Sequence, residues 1–504
     1  MLQPDTMALA ALMTAPLLAA ISAAILGRRV PALTAGIGTL AAGLGFFVAA
    51  LLAITSADGD AARLDAGAFS MTADRLALAL LLLIFGVSAV AQAFAMRYMT
   101  GDPRAGWFTG CAGLLTAGSA MLATATTLVG LAAAWTLAGI ALCLLLGTYW
   151  QMANARDGVR RTAIAFSIGD GALWVAVGLS ATQTKSIDLA DLRTAPIGGA
   201  MAAVMTLLIV VAALSRSAQI PFHRWLPATL TAPTPVSAML HAGVVNAGGI
   251  LLIKSSPLPS PTLAAALAVI AGVTTLAYGA TITLVKPDVK GALAYSTMAQ
   301  MGFMILTCGL GLWAAALMHL FAHGFYKATL FLSSGSAIAR HHRTAGMPAL
   351  RRLGRRKPVA IVIAATVPLA SIYAAITVVP YAAGGHIAEQ AILLFAWATG
   401  ATLTWGWLQR RPDMGGVLSA AAVLVPAAIA YLALVSAVTH FLAPALPPAS
   451  VPAPAVWAVI AVTAVALGLL AGVRLSPRAR PLQRALYAYA LSAGTIRSAT
   501  TGPQ

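Results

Sequence analysis

Long apolar stretches follow one another along almost the whole chain. A helix needs roughly 20 apolar residues to cross the hydrocarbon core of a bilayer, and about fifteen such stretches can be read. They lie near 7–26, 31–54, 76–97, 107–127, 128–150, 161–181, 197–215, 236–254, 261–284, 289–311, 312–339, 358–381, 387–408, 416–441 and 455–473. Backbone groups in lipid must be hydrogen-bonded within their own segment, so runs of this length indicate helices and not barrel strands. The sequence therefore predicts an all-α polytopic membrane protein with about 14–15 transmembrane helices.

Charged residues are too scarce for a water-soluble protein. They make up 9% of the 504 residues, and hydrophobic residues make up 60%, whereas an ordinary soluble domain carries about 25% charged residues. This composition excludes a soluble enzyme, a disordered chain and a nucleic-acid binder. The three cysteines stand singly, and we find no nucleotide loop, haem pair or iron–sulfur motif. We therefore expect no cofactor, metal or catalytic residues in this chain.

The distribution of basic residues predicts how the chain crosses the membrane. The formal net charge is +18. With the N-terminus outside, nearly all of this excess falls on inside loops, above all on the run 340–357, while the outside segment 56–75 is acidic. Because cytoplasmic loops collect Lys and Arg, we expect an inner-membrane protein with an outside N-terminus and a cytoplasmic C-terminus. The first span has no basic n-region, so we expect a retained helix and not a cleaved signal peptide.

Polar residues inside predicted spans are the functional candidates, because charge is costly in a bilayer. Asp170 lies midway along the sixth span and is either half of a structural ion pair or a proton-relay carboxylate. The segment 215–241 holds four prolines that a continuous helix does not accommodate: Pro221, Pro227, Pro233 and Pro235. This segment is either a surface loop or a broken helix that lines a cavity. Arg216 within it is either an interface anchor or a charge at the break.

A row of titratable residues in the eleventh span is the strongest signal. His319, His323 and Lys327 are spaced i, i+4, i+8, which places them on one helix face. Such a row can pass protons across an apolar region. The alternatives are a structural hydrogen-bond network and, for the two histidines, a zinc site that lacks its third ligand and a glutamate.

Two further residues extend this list. His241 begins the eighth span and is either a structural hydrogen bonder or a member of the same path. Lys290 opens the tenth span beside Asp288. It is either half of an interfacial ion pair or the cytoplasmic start of the relay.

Two stretches of sequence resemble a known transporter family. SRSAQIPFHRWLPATLTAPTPVSAMLHAG and VKGALAYSTMAQMGFMILTCG…MHLFAHGFYKATLFLSSGSAI are similar to the proton-conducting core shared by the L subunit of NADH–quinone oxidoreductase and the A subunit of Mrp antiporters. The resemblance is specific over 210–340 and weaker over 107–210. It implies two inverted five-helix repeats with broken helices. It also places six of the candidates on the family's polar axis: Asp170, His241, Lys290, His319, His323 and Lys327.

This family core predicts the division of the chain. We expect N-terminal transmembrane helices over 1–106, a first antiporter-like repeat over 107–254 and a second over 255–410. The remaining C-terminal helices and a cytoplasmic tail occupy 411–504.

Several family features are altered in this chain. The glutamate that the family has on its fifth helix is replaced by Thr136, and the lysine on its broken seventh helix by Arg216. Arginine does not readily release a proton, so the resemblance predicts a fixed charge at Arg216 that modulates its neighbours, paired with Asp170. The stretch PLASIYAAITVVPYAAGG lacks the charged motif of the twelfth helix, and we expect no long lateral helix.

A short chain with these departures most resembles the membrane subunits of inorganic carbon pumps, the DabB family. That resemblance implies a peripheral DabA-like zinc-containing partner, with zinc in the partner and not in this chain. Protons or sodium, passing from Lys290 through Lys327, His323 and His319 toward His241, would drive CO2 hydration to bicarbonate. The alternatives are an L-like subunit of a dehydrogenase, hydrogenase or Mrp-type complex, and a membrane anchor that transports nothing.

Overall fold

The chain folds into a series of long helices with one short β-hairpin. The computed structural model describes residues 4–55, 61–183, 188–194, 199–256, 262–335, 357–379, 387–411, 413–446 and 479–494, and single positions between 454 and 465. The basic run 340–356 and most of the predicted span 455–473 lie outside these described residues.

Seventeen helices and two strands are numbered here in chain order. The first nine helices and the strands are α1 (Pro4–Leu26), α2 (Pro31–Thr55), β1 (Ala62–Leu64), β2 (Met71–Ala73), α3 (Arg75–Tyr98), α4 (Ala105–Thr124), α5 (Leu128–Leu146), α6 (Ala153–Gln183), α7 (Leu189–Thr194), α8 (Gly199–Arg216) and α9 (Thr234–Ala242). The others are α10 (Ala247–Ser255), α11 (Thr262–Thr283), α12 (Val289–Gly309), α13 (Trp313–Leu332), α14 (Lys357–Val378), α15 (Ile387–Leu408), α16 (Met414–Leu442) and α17 (Arg480–Gly494).

The helices are long and apolar enough to cross a membrane. Ten spans in the described part of the chain meet both requirements of length and apolarity. Four further helices, α4, α12, α13 and α15, have 20, 21, 20 and 22 residues, which is also enough for a crossing. Large apolar side chains stay exposed along them, for example Leu40, Phe47 and Leu51 on α2, as expected where lipid and not water surrounds a helix. The predicted all-α membrane fold is confirmed.

The described residues divide into two compact units. One comprises those within Met1–Gly311, His319–Gly335 and Pro447–Gln504, and the other those within Leu312–Met318 and Ser336–Leu446. In the first unit, strands β1 and β2 pair antiparallel, with Ala62 opposite Ala73. In the second unit, α14 packs against α15 and α16 around Ala360, Ala364 and Leu408. Every side chain discussed below as part of the site belongs to the first unit.

Two acidic residues of the first unit begin helices. Asp74 accepts a hydrogen bond from the backbone N–H of Ala77 at 2.7 Å and starts α3. Asp288 accepts from Gly291 at 2.5 Å and starts α12. Each carboxylate satisfies one of the free N–H groups at a helix start and opposes the positive end of the helix dipole.

Helices α11 and α12 lie close together because glycine lines their contact. A Cβ atom on Gly302 would lie 2.5 Å from the backbone nitrogen of Leu276 and 2.6 Å from the carbonyl oxygen of Gly272. Only a residue without a side chain allows this approach, which is how membrane helices gain van der Waals contact without a hydrophobic driving force. The close contact fixes the position of α12, which carries Lys290, Ser296 and Gln300.

The chain is broken twice near the middle of the first unit. Helix α8 ends at Arg216, and Ala218 has a φ of 51°, a conformation incompatible with a continuing right-handed helix. The backbone resumes as α9, which itself ends at Gly243 before a short turn and α10. Ser217, Ala218 and Gln219 at the first break are fully buried, and so are nearly all residues of the span Thr234–Ser255 around the second. Both breaks therefore avoid lipid, as irregular backbone at membrane depth requires.

Candidate functional site

Arg216 and Asp170 form an ion pair between α8 and α6. The Nη2 of Arg216 donates to Oδ1 of Asp170 at 2.8 Å, and the exposed fractions of the two side chains are 1% and 17%. The indole Nε1 of Trp135 donates to the same carboxylate oxygen at 2.8 Å. The predicted pairing of these two residues is therefore present. The interface-anchor interpretation of Arg216 is wrong, because its guanidinium is buried and does not reach a membrane surface.

The Arg216 guanidinium is held on several sides. Its central carbon lies 4.4 Å from the centre of the Trp135 ring and 4.0 Å from that of the Phe166 ring, a geometry that attracts a cation to aromatic faces. A Cβ atom on Gly139 would lie 2.9 Å from Nη2 and 3.0 Å from Nη1. Glycine at position 139 therefore provides the space that the guanidinium occupies.

The segment 215–241 is not a surface loop, because most of it is buried. Ser217 donates to the carbonyl oxygen of Val245 at 2.7 Å, and Trp225 donates to that of Ser215 at 2.9 Å. The N–H of Ile220 donates to Thr275, which is fully buried. These bonds satisfy backbone groups that the prolines and the break leave free. The interpretation as a buried, cavity-lining break is supported.

Thr136 forms its hydrogen bond with Trp174 and not with Arg216, the cation that a glutamate at this position would neutralise. Its hydroxyl accepts a hydrogen bond from the indole of Trp174 at 3.1 Å. The preceding residue, Trp135, reaches the Arg216–Asp170 pair instead. The carboxylate that neutralises Arg216 thus comes from α6 and not from α5.

A cavity of about 50 Å³ lies beside Arg216. Its polar lining consists of Arg216, Ser88, Thr116, Ser119 and Asn246. This volume exceeds the roughly 10–15 Å³ that a cavity needs to hold one water molecule. Among the described residues, the Nε of Arg216 and the Oδ1 of Asn246 are buried without a hydrogen-bond partner. A water or another small polar molecule that both accepts and donates would satisfy them.

The break after α9 links this cavity to the histidines. Because α9 ends at Ala242, the carbonyls of His241 and Ala242 lose the donors that a continuing helix would supply. His323 Nε2 lies 3.0 Å from the His241 oxygen, and the Asn246 amide donates to that of Ala242 at 2.7 Å. The His241 ring stacks on Phe331 with centres 4.3 Å apart.

His323 contacts two oxygen atoms at once. Besides the His241 carbonyl, its Nδ1 lies 2.9 Å from Oε1 of Gln300. A neutral imidazole donates through only one nitrogen. Both contacts are hydrogen bonds when the ring carries two protons or when the Gln300 amide is rotated so that its nitrogen donates. His323 is thus placed where gaining or losing a proton changes its partners.

Lys327 and His319 flank His323 on α13. Lys327 is fully buried, and its Nζ donates to Ser296 Oγ at 2.8 Å and to the Leu293 carbonyl at 3.3 Å. His319 packs edge-on against Phe303, and its ring centre is 5.6 Å from that of His323. The i, i+4, i+8 spacing thus brings the three residues onto one face toward α12, as predicted. The described residues contain no group of three His, Cys, Asp or Glu side chains with metal-binding geometry.

Lys290 stands apart from this row. Its Nζ donates to the carbonyl oxygen of Ala232 at 3.1 Å, immediately before α9. Asp288 instead lies 3.9 Å from Lys286 and begins α12. The interpretation of Lys290 as the partner of Asp288 is therefore wrong, and its place at the start of the path stays a prediction.

The structure adds residues that the sequence gave no reason to choose. They are Trp135, Gly139, Asn246, Ser296 and Gln300, which contact the predicted residues from neighbouring helices. Lys254, at the end of α10, donates to the carbonyls of Leu122 and Ala123 at the end of α4. A charge in the last turn of an apolar span was the one available signal for Lys254.

Two family models match this chain. Residues 125–409 match the family model described as NADH:quinone oxidoreductase/Mrp antiporter, TM, and residues 66–109 match that of the NADH-ubiquinone oxidoreductase (complex I) chain 5 N-terminus.

Two curated relatives are similar over 66% of this chain. One is the probable inorganic carbon transporter subunit DabB1 of Halothiobacillus neapolitanus, 36% identical over 346 residues and matched over 61% of its length. The other is subunit L of the NADH-quinone oxidoreductase of Mycobacterium tuberculosis, 37% identical over 339 residues and matched over 52% of its length. The chain thus spans between half and two thirds of the length of these relatives.

Two solved structures share the fold. A chain of the Mrp complex from Dietzia is 23% identical, with a TM-score of 0.60, 98% of this chain covered and 63% of that chain. A chain of the archaeal membrane-bound sulfane sulfur reductase is 19% identical, with a TM-score of 0.62 and 96% of both chains covered. Because the family model spans more than half of the residues, this chain belongs to the NADH:quinone oxidoreductase/Mrp antiporter membrane family.

Proposed function

We propose that this protein is the membrane subunit of an inorganic carbon pump. In this proposal it conducts protons or another cation and thereby drives CO2 hydration by a soluble, DabA-like partner that holds zinc. The similarity to DabB subunits of Halothiobacillus neapolitanus and Bacillus subtilis, both at 36% identity, supports this proposal. The chain itself would perform no catalysis and would work as part of a membrane complex.

One observation carries the conducting role. The half-buried Lys290 in the first turn of α12 donates to the Ala232 carbonyl just before α9. The buried Lys327 and His323 follow on α13, and His323 contacts the carbonyl of His241 at the break. The cavity next to Arg216 continues from that break. Buried ionisable groups in a membrane protein mark ion paths, because burying them without a function is costly.

The proposed setting is the cell inner membrane. The excess of basic residues on alternate loops supports an outside N-terminus and a cytoplasmic C-terminus. In this orientation Lys290 lies at the cytoplasmic side, because Lys286 is in the loop between α11 and α12 and Lys290 is in the first turn of α12. Cations would then move between the cytoplasm and the break through the row on α13.

The conducting role is tested at Lys327. We expect Lys327→Ala to abolish rescue of a carbon-pump-deficient strain grown in air, because it removes the charge that Ser296 and Leu293 hold. Lys327→Arg should fail as well, since arginine keeps the charge but does not readily release a proton. Thr329→Ala is the matched control, because Thr329 is exposed on the same helix and bonds only to its own turn.

All three variants must reach the membrane in equal amounts, as measured by immunoblotting of membrane fractions. Rescue by Lys327→Ala at the level of Thr329→Ala would show that the row on α13 is not a cation path. A non-transporting anchor would also tolerate the combined loss of His319, His323 and Lys327.

A second candidate is an L-like subunit of a respiratory or antiporter complex. The similarity to subunit L of Mycobacterium tuberculosis, with 66% of this chain covered, favours it. Affinity purification of the intact membrane complex, followed by mass spectrometry and zinc analysis, separates the two. A single large zinc-containing partner supports the carbon pump. A set of dehydrogenase or antiporter subunits supports the second candidate and contradicts the first.

A further inference from the structure

The cavity at the helix break has a positive wall. Arg216 lines it, whereas Asp170 does not, so the positive member of the ion pair is the one at the cavity. The other polar lining groups are the neutral Ser88, Thr116, Ser119 and Asn246. Oxygen atoms of this kind are ligands for a sodium ion, but the charge beside them is repulsive.

This positive charge is permanent. Arginine stays protonated in proteins, and the pair with Asp170, the two aromatic faces and the space at Gly139 hold the guanidinium in one place. At an effective dielectric constant of about 20, a metal cation roughly 5 Å from the guanidinium and roughly 8 Å from the Asp170 carboxylate would be disfavoured by about tenfold in occupancy.

We propose that Arg216 makes the conducting path selective against metal cations. A sodium ion needs a cavity with oxygen ligands, and the cavity at the break repels it. Protons instead pass between titratable groups, and Lys327 and His323 are such groups that do not line the cavity. This inference rests on the proposed cation-conducting role and names its ion class: protons and not sodium.

Sodium uptake into proteoliposomes tests the proposal. The purified full-length chain is reconstituted, and uptake of radioactive sodium is compared with that of protein-free liposomes. We expect the wild type to match the protein-free level. Arg216→Met should admit sodium about tenfold faster or more, because it removes the repulsion and leaves the Asp170 carboxylate facing the cavity.

Two further variants control for folding and for simple loss of packing. Arg216→Gln keeps an N–H donor for Asp170 and should also admit sodium, so the test survives if Arg216→Met does not fold. The double variant Asp170→Asn with Arg216→Met carries neither charge and should admit less sodium than Arg216→Met alone. Each protein is first shown to be monodisperse by size-exclusion chromatography.

Three results would overturn the proposal. The first is sodium uptake by the wild type above the protein-free level. The second is sodium uptake by both Arg216→Met and Arg216→Gln that stays at the wild-type level, and the third is equal sodium uptake by Arg216→Met and by the double variant. The last would mean that lost volume and not lost charge opens the path. The sodium assay contains no partner and no CO2. Its result can therefore be interpreted even if the growth test contradicts the carbon-pump proposal.

Discussion

Replacing Gly139 with alanine tests whether the position of the Arg216 guanidinium depends on the absence of a side chain at residue 139. The added Cβ would lie 2.9 Å from Nη2 of Arg216 and 3.2 Å from its central carbon. Ordinary contacts begin near 3.4 Å, so the guanidinium must withdraw by about 0.5 Å. Along the bond to Asp170, a shift of that size would stretch the 2.8 Å contact toward about 3.3 Å, beyond the usual range of a hydrogen bond.

The expected loss of stability follows from two opposing terms. Overpacking a filled interior costs about 1–3 kcal/mol, while exchanging glycine for alanine inside a helix gains up to about 1 kcal/mol. Gly171 supplies the matched control, because it lies on α6 next to Asp170 and a Cβ there meets nothing within 4 Å. Both variants gain the same helix stabilisation from exchanging glycine for alanine. Gly139→Ala should therefore be less stable than Gly171→Ala by the cost of overpacking, about 1–3 kcal/mol.

The assay is unfolding of the purified chain by SDS in mixed micelles, followed by far-UV circular dichroism. We expect Gly171→Ala to unfold at or above the wild-type SDS fraction and Gly139→Ala below it. A second cycle combines Gly139→Ala with Arg216→Lys, whose slimmer ammonium group should recover part of the loss. Equal midpoints for the two alanine variants, or no coupling to position 216, would refute the packing of Arg216 against Gly139.

Two further predictions concern helix ends. Asp288→Ala should lower the free energy of unfolding by about 1 kcal/mol, because the N–H of Gly291 loses its acceptor. Growth rescue should be unchanged. Loss of growth rescue without loss of stability would instead indicate that Asp288 has a functional role. Lys254→Met should cost about 1 kcal/mol by removing a cation from the end of α4, and Lys254→Arg should restore it. Both are read by the same SDS titration, and if Lys254→Arg unfolds like Lys254→Met, Lys254 does not act as a cap.

Much of the fold was predictable because lipid leaves few choices. Apolar runs of about 20 residues must be helices, and the boundaries read from the sequence agree closely with α1, α2 and α15. The prolines between 221 and 235 indicated a break for a local steric reason. The spacing of His323 and Lys327 likewise fixed a shared helix face, because the helical period is a local property.

The partners of these residues were not predictable in the same way. Gln300 and Ser296 reach α13 from α12, and Trp135 reaches Asp170 from α5, across 23, 31 and 35 positions of sequence. Such contacts depend on how helices rotate against one another, and apolar helices carry little sequence information about rotation. The pairing of Arg216 with Asp170 could be predicted because opposite charges are rare in these spans and each needs a partner.

The structure gives a new context to positions 136 and 216, where this chain differs from the family pattern. Taken singly, threonine at 136 and arginine at 216 each remove a titratable group from the first half of the axis. In the structure, Arg216 forms a buried pair with Asp170 on α6 and packs against Trp135 and Gly139. Thr136 instead bonds to Trp174. An arginine so placed does not readily release a proton, and it engages the carboxylate of Asp170. The proposed proton-exchanging groups are therefore those in the half that contains Lys290, His241, His323 and Lys327. The two halves of the axis are therefore expected to differ in task, one holding a fixed charge at the break and the other moving protons toward it.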